Sequence, residues 1–231
     1  MDSSNITVVT SITGDKDQLI EKQVRGGANF IAFIDKPYPS NTWGIKKAYD
    51  KFQDPRRNSR IHKLLIHQYV DTEYSIWIDG NIKLLIPPEE IIERYLKNHD
   101  FAVFKHPTRD CIYDEAMVCA KLRLDDPENI IEQVKQYEDS GFAKHKGLCE
   151  CGILIRRNTA KVEAFNNAWW GEYTRFSRRD QISFMYAVDK VGLRINVINE
   201  PFINQPDGSA IRDNAFQVVA HQHFEGNFNQ Q

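Results

Sequence analysis

The chain has 231 residues, enough for one domain with a full core, and its 41% hydrophobic and 27% charged residues are ordinary for a globular protein. A formal net charge of −2 gives no basic excess for nucleic acid, although local basic clusters can still hold a small anion. No apolar run approaches the roughly 20 residues that span a bilayer, and the start "MDSSN" lacks the basic and apolar regions of a secretory signal, so a cytoplasmic chain without a membrane span is expected.

In chain order, "NITVVTSITG" reads as an opening strand, "DKDQLIEKQVRGG" predicts a short helix closed by Gly26 and Gly27, and "NFIAFIDKP" is a second buried strand. A β-α-β opening favours a mostly parallel sheet. Residues 38–58 are irregular. "SRIHKLLIHQYV" then resumes helical spacing, with Ile61, Leu64, Leu65, Gln68 and Tyr69 on the packing side and Arg60, Lys63 and His67 pointing elsewhere.

In "YSIWIDGNIKLLIPPEE" an apolar run stops at Asp79-Gly80-Asn81 and resumes. A hairpin turn of Asp-Gly type would explain this. So would a buried strand delivering Asp79 to the carboxyl edge of a parallel sheet, where ligands of open α/β folds bind. "PPEEIIERYLKN" is a helix, marked by its leading Pro and by Glu89 and Glu90 in the first turn. "DFAVFKHP" is a strand, "DCIYDEAMVCAKLRL" and "PENIIEQVKQYEDSGF" are helices, "CGILIRR" is a strand, and "TAKVEAFNNAWWGEYTRF" and "RRDQISFMYAVDKVG" are helices. "VVAHQHFEGNFNQQ" is a short strand with a polar tail. No linker divides the chain, so one α/β domain over 1–231 is expected, with a nucleotide-binding part at about 1–105 and an acceptor part at about 106–231.

Cys111, Cys119, Cys149 and Cys151 include no C-x-x-C pair and read as reduced, mostly buried thiols. Asp79 and Asn81 offer hard oxygen ligands of the type that Mg²⁺ or Mn²⁺ prefers. Arg57, Arg60 and Lys63 suit a pyrophosphate or, equally, a solvated helix face. His221 and His223 point the same way if that segment is extended. Asp180 either caps its helix or supplies an acid to a site. Glu150, between two cysteines, has no evident structural purpose and is expected to be desolvated. His106, Arg109, Asp110, Tyr113 and Glu115 crowd the end of a strand, where ligand-facing loops belong. Trp169 and Trp170 read as core.

Asp79-x-Asn81 resembles the D-x-D motif of GT-A fold glycosyltransferases. Together with "RRNSRIHKLLIHQYVDTEYSIWIDGNIKL", "KHPTRDCIYDEA", "GLCECGILIRR" and "FNNAWWGEYTRFSRRDQISFMYA", it resembles a glycosyltransferase family long catalogued as a domain of unknown function, with members in plants, bacteria and large algal viruses. The resemblance runs from "VVTSITG" to "HQHFEG" apart from the irregular segment. The motif order is also similar to glycogenin-like transferases, with Cys149-Glu150-Cys151-Gly152 where F-N-x-G would stand, then Asp180-Gln181 and His223-Phe224-Glu225-Gly226. Asn81 in place of a second aspartate removes one charge from the metal motif, and Glu150 stands in place of an Asn.

The resemblance implies a metal-dependent hexosyl- or deoxyhexosyltransferase using a UDP-sugar donor and a glycan or glycoprotein acceptor. Mn²⁺ or Mg²⁺ would sit on Asp79, Asn81 and His223, with His221 as second choice. The nucleotide would lie on Thr10, Ser11, Ile12, Asp35, Arg57, Arg60, Lys63, Asp79 and Gly80. His106, Arg109, Glu150 and Gln181 would meet sugar or acceptor, and Asp180 and Glu150 would carry the chemistry. A nucleotide-sugar or glycan-binding module without turnover is the alternative.

Overall fold

The computed structural model describes residues 3–221. In chain order it forms β1 (Ile6–Ile12), β2 (Asn29–Ile34), β3 (Gly44–Lys47), α1 (Pro55–Leu64), β4 (Tyr74–Ile78), β5 (Ile82–Leu84), α2 (Pro88–Leu96), β6 (Phe101–Lys105), α3 (Ile112–Lys121), α4 (Pro127–Asp139), β7 (Cys149–Arg157), α5 (Ala160–Arg175), α6 (Asp180–Val191), β8 (Ile195–Ile198), β9 (Phe202–Asn204), β10 (Ala210–Arg212) and β11 (Phe216–Val218). The main sheet has the order β3-β2-β1-β4-β7-β6-β8 and a smaller one the order β5-β11-β10-β9. In the main sheet only β7 runs against its neighbours, so the expected α/β fold with a mostly parallel sheet is observed.

Every residue of β1 is buried, as a central strand covered on both faces requires. Its alternate side chains feed two cores. Val8 joins Ile76, Ile91, Ile92, Tyr95 and Phe216 on the face covered by α2 and the small sheet. Val9 joins Trp77, Phe165, Trp169 and Phe184 on the face covered by α5 and α6. Burying each such side chain contributes about 1.5–3 kcal/mol. Helix ends follow local chemistry. The Asp54 side chain accepts from Arg56 N ahead of Pro55, and Gly192 closes α6 at φ +64°.

Two expectations need correction. Residues 15–27 form no helix, because their backbone groups bond outward. Ile20 O accepts from Trp43 Nε1 (3.0 Å), Glu21 O accepts from Thr42 Oγ1 (2.7 Å), and Val24 N donates to Leu84 O (3.3 Å). The irregular stretch 38–58 contains β3, which pairs with β2, and the start of α1. Of the two readings of Asp79-Gly80-Asn81, the hairpin between β4 and β5 is excluded, since β5 pairs with β11 in the other sheet. The four cysteines are free and buried, as expected. Among the described residues no helix is long and apolar enough to cross a membrane.

Candidate active site

The carboxyl ends of β1 and β4 lie side by side, so Ile12 and Asp79 arrive at one edge of the sheet. β7 runs the opposite way and brings its amino-terminal end to that edge. Its register against β6 jumps there, from Val103 opposite Leu154 to Phe104 opposite Glu150, so one step on β6 spans four on β7. Bulges of this kind re-aim a strand beside a site. On the other side of β7 the ladder with β4 continues unbroken, and Gly152 O accepts from Asp79 N (2.9 Å).

A cleft of about 470 Å³ opens over this edge. Its walls include Ser11 and Ile12 from β1, Arg56, Arg60 and Lys63 from α1, Asp79, Gly80 and Asn81, Glu150 and Gly152 from β7, and residues 178–181 at the start of α6. Seven cationic side chains face it against four carboxylates.

At the floor lies a buried charge network. Lys63, 1% exposed, donates to Asp180 Oδ2 (2.6 Å) and stands 3.7 Å from Asp79 Oδ1. Arg60 lies 3.3 Å from Asp180 and 3.9 Å from Asp79. Trp77 Nε1 also donates to Asp79 Oδ1 (2.8 Å). Burial alone would raise the Asp180 pKa, but the charges of Lys63 and Arg60 outweigh it and hold the carboxyl far below its usual range. Burial likewise disfavours the Arg60 charge, yet Asp79 and Asp180 push its pKa up. Asp180 is therefore a fixed negative charge that orients two cations, and a weak proton acceptor. Arg60 and Lys63 line the cleft; Lys63, expected to point away from the packed side of α1, is buried instead, where Asp180 and Asp79 draw it in.

The other expected residues divide. Ser11, Ile12, Gly80, His106, Glu150 and Gln181 line the cleft, whereas Thr10, Arg57 and Arg109 do not. Arg57 donates to Tyr173 O (3.3 Å) and Phe176 O (3.2 Å), and Arg109 pairs with Glu115 (2.7 Å). His106 Nδ1 accepts from Arg109 N (3.0 Å), and burial together with Arg109 lowers its pKa. Gln181 Nε2 donates to Cys149 O (2.9 Å). Glu150 is not surrounded by apolar groups as its flanking cysteines suggest: its carboxylate receives Arg212 Nη1 (2.5 Å). Asp35 accepts from Gly14 N (2.7 Å) and, with Ile12, Leu19 and Tyr38, lines a second hollow of about 280 Å³. Ile12 and Asp17 border both hollows.

A divalent ion needs several oxygen or nitrogen ligands converging on one point. Asn81 Nδ2 donates to Val219 O (2.9 Å), His221 Nδ1 lies 3.0 Å from Asp17, and Asp79 Oδ1 is occupied by Trp77 and faced by two cations. His223 lies outside the described residues. Among the described residues the one group of three with metal-ligand spacing is Cys111, Asp114 and His145, none of which lines the cleft. That group could hold a metal ion. Among the described residues, Asp79, Asn81 and His221 do not, as they stand, converge as a divalent centre.

Arg56, Arg178 and Arg179 line the cleft but were absent from the sequence reading. Arg56 sits one turn before Arg60, so residues 56, 60 and 63 share one helix face, a spacing visible in the sequence.

A family model described as TOD1/MUCI70, glycosyltransferase-like domain, matches residues 40–205, well over half of the chain. The chain belongs to that family. The family match includes most of the irregular stretch and stops short of β1 and β2, unlike the resemblance drawn from the sequence. Within the TOD1/MUCI70 family the chain is 32% identical over 156 residues to a probable hexosyltransferase, MUCI70, of Arabidopsis thaliana, covering 63% of this chain and 27% of the relative. It is 26% identical over 165 residues to the alkaline ceramidase TOD1 of the same plant, covering 66% and 36%. The chain thus spans little more than a third, at most, of the curated relatives it matches. Among solved structures, a glycosyltransferase involved in glycosylation of the major capsid of PBCV-1 overlays with a TM-score of 0.47 at 11% identity, covering 84% of this chain and 81% of that one.

Proposed function

We propose that this chain is a glycosyltransferase domain that moves a hexosyl or deoxyhexosyl group from a nucleoside diphosphate donor, UDP-linked, to a hydroxyl of a glycan or glycoprotein. The observation that carries this reading is the cation-rich cleft at the carboxyl ends of β1 and β4. It abuts a second hollow with an aromatic and a carboxylate, Tyr38 and Asp35. The diphosphate suits the first and the nucleoside the second, with Ile12 and Asp17 between them.

In the transfer, the acceptor oxygen forms a bond to the anomeric carbon while the bond from that carbon to the phosphate oxygen breaks. The diphosphate leaves with the electron pair, and the hydroxyl proton passes to a base or to solvent. Charge that grows on the leaving group is met by Arg60 and Lys63, held in place before the reaction by Asp180 and Asp79. Glu150, the more exposed member of an ion pair at the cleft wall, takes the sugar contact or the proton. Asp180 contributes its charge. A metal-dependent form of the reaction would need a ligand such as His223, which lies outside the described residues, beside Asp79, and UDP binding that requires Mn²⁺ would favour it.

The test is a panel of nucleotide sugars assayed for donor hydrolysis and for transfer to hydroxyl acceptors. Release of sugar from a UDP donor supports the reading. Nucleotide binding with no release from any donor favours the binding module. The relative named an alkaline ceramidase makes ceramide the one further substrate to include: hydrolysis of its amide with no nucleotide binding would replace the proposal.

A further inference from the structure

Of the seven cations lining the cleft, four are matched by carboxylates. Lys63 and Arg60 share Asp180 and Asp79, Arg212 meets Glu150, and Arg178 meets Asp54 (2.9 Å) and Asp125 (3.1 Å). Lys16, which is exposed, and Arg56 and Arg179 face the same cleft without a carboxylate in ion-pair range among the described residues. Arg56 donates at 3.4 Å to the carbonyl of Leu124, and Nε of Arg179 is buried with no hydrogen-bond partner. Burial and the like charges of Arg178, Arg60 and Arg179 push the Arg56 pKa down.

A second observation points to a ligand at the same place. Ser11, 6% exposed at the end of β1, lines the cleft with its Oγ buried and unpartnered. Buried polar groups are normally satisfied, and a phosphate oxygen would accept from this hydroxyl and from both arginines. Arg178 fixes the spacing: it clamps the start of α6 to Asp54, the residue that caps α1, so the two guanidinium groups that lack a carboxylate partner are presented from two helices joined by an ion pair.

We infer that Arg56 and Arg179, backed by Arg60 and with Ser11 Oγ, hold the donor diphosphate directly, so that this cleft binds its nucleotide without a divalent cation. This rests on the nucleotide-donor reading above. The carboxylate on which a metal would depend, Asp79, is instead a counter-charge for buried Lys63 and Arg60. Guanidinium groups suit the task because their paired N–H donors match phosphate oxygens and stay charged at any working pH.

The test is isothermal titration of the full chain with UDP, UMP and inorganic pyrophosphate, each in excess EDTA and in excess Mn²⁺. UDP and pyrophosphate should bind in EDTA, with less than about a tenfold change on adding Mn²⁺. Arg56→Gln and Arg179→Gln should each weaken UDP in EDTA by about tenfold or more while changing UMP less, and Arg56→Lys should recover part of the loss. Near-ultraviolet circular dichroism checks that each variant is folded, and the Lys variant keeps the test sharp should a Gln variant fail to fold. UDP binding that appears only with Mn²⁺ overturns the inference and leaves the donor reading standing. Pyrophosphate binding in EDTA without UDP binding upholds the cation clamp and removes the UDP reading. No binding of either anion in either buffer removes both.

Discussion

Lys63 is a fully buried ammonium whose counter-charge comes from two residues far apart in sequence, Asp180 and Asp79. Removing one partner of such a pair leaves an uncompensated charge, so Asp180→Asn should cost about 3–5 kcal/mol of unfolding free energy in urea. The pH dependence has a definite sign. The folded carboxyl titrates below the unfolded one, so the unfolded chain binds more protons in the window between them, and the stabilisation present above about pH 4 drains away as pH falls. Urea melts from pH 7 down to the acid limit should show a steeper loss in the wild type than in Asp180→Asn. Asp79→Ala should also destabilise, by about 1–3 kcal/mol, because Trp77 is 0% exposed and its Nε1 would lose its acceptor. An unchanged urea midpoint in that variant would mean the indole is satisfied some other way. Glu150→Gln, by contrast, acts at the cleft wall: its expected mark is an altered choice among donor sugars with little change in melting temperature.

At the scale of elements, what the sequence disclosed depended on whether an element's bonds stay local. α2 is legible because its signals lie within it: Pro88 at the first turn, Glu89 and Glu90 beside the amino terminus, and Ile91, Ile92, Tyr95 and Leu96 all buried on one side. Residues 15–27 mislead because their backbone partners sit at 42, 43 and 84, beyond any local window. Site residues divide the same way. Asp79 is legible from the turn after a buried run, whereas Arg57 stands in the expected basic cluster and Arg56 does not, because only the fold reveals that Arg57 is spent on the last turn of α5 and its C-cap, at Tyr173 O and Phe176 O. Gly80 tests the turn itself. A Cβ there would fall 2.9 Å from Ile12 Cγ1 and 3.4 Å from Asp17 Cβ, so Gly80→Ala must move the turn or the end of β1. The expected cost is about 1–3 kcal/mol with weaker nucleotide binding, read by urea melts and titration.

At the scale of the whole molecule, the four cysteines report on integrity. Burial pushes the thiols of Cys119 and Cys149 up to about 11 and about 12, and that of Cys151 well above its usual value. Native protein at pH 7.5 should therefore resist alkylation and take up four labels only on denaturation, as mass spectrometry would read directly. The reversed strand has a different reach. β7 is zipped on one side to β4 and on the other to β6, although it follows both by more than forty residues. A chain cut between residues 105 and 106 would leave its first half with a strand-wide gap at the centre of the sheet, and its second half with the strand that fills it but nothing to hold it. Neither piece can fold alone on this plan, and the two should regain structure only as a noncovalent complementing pair.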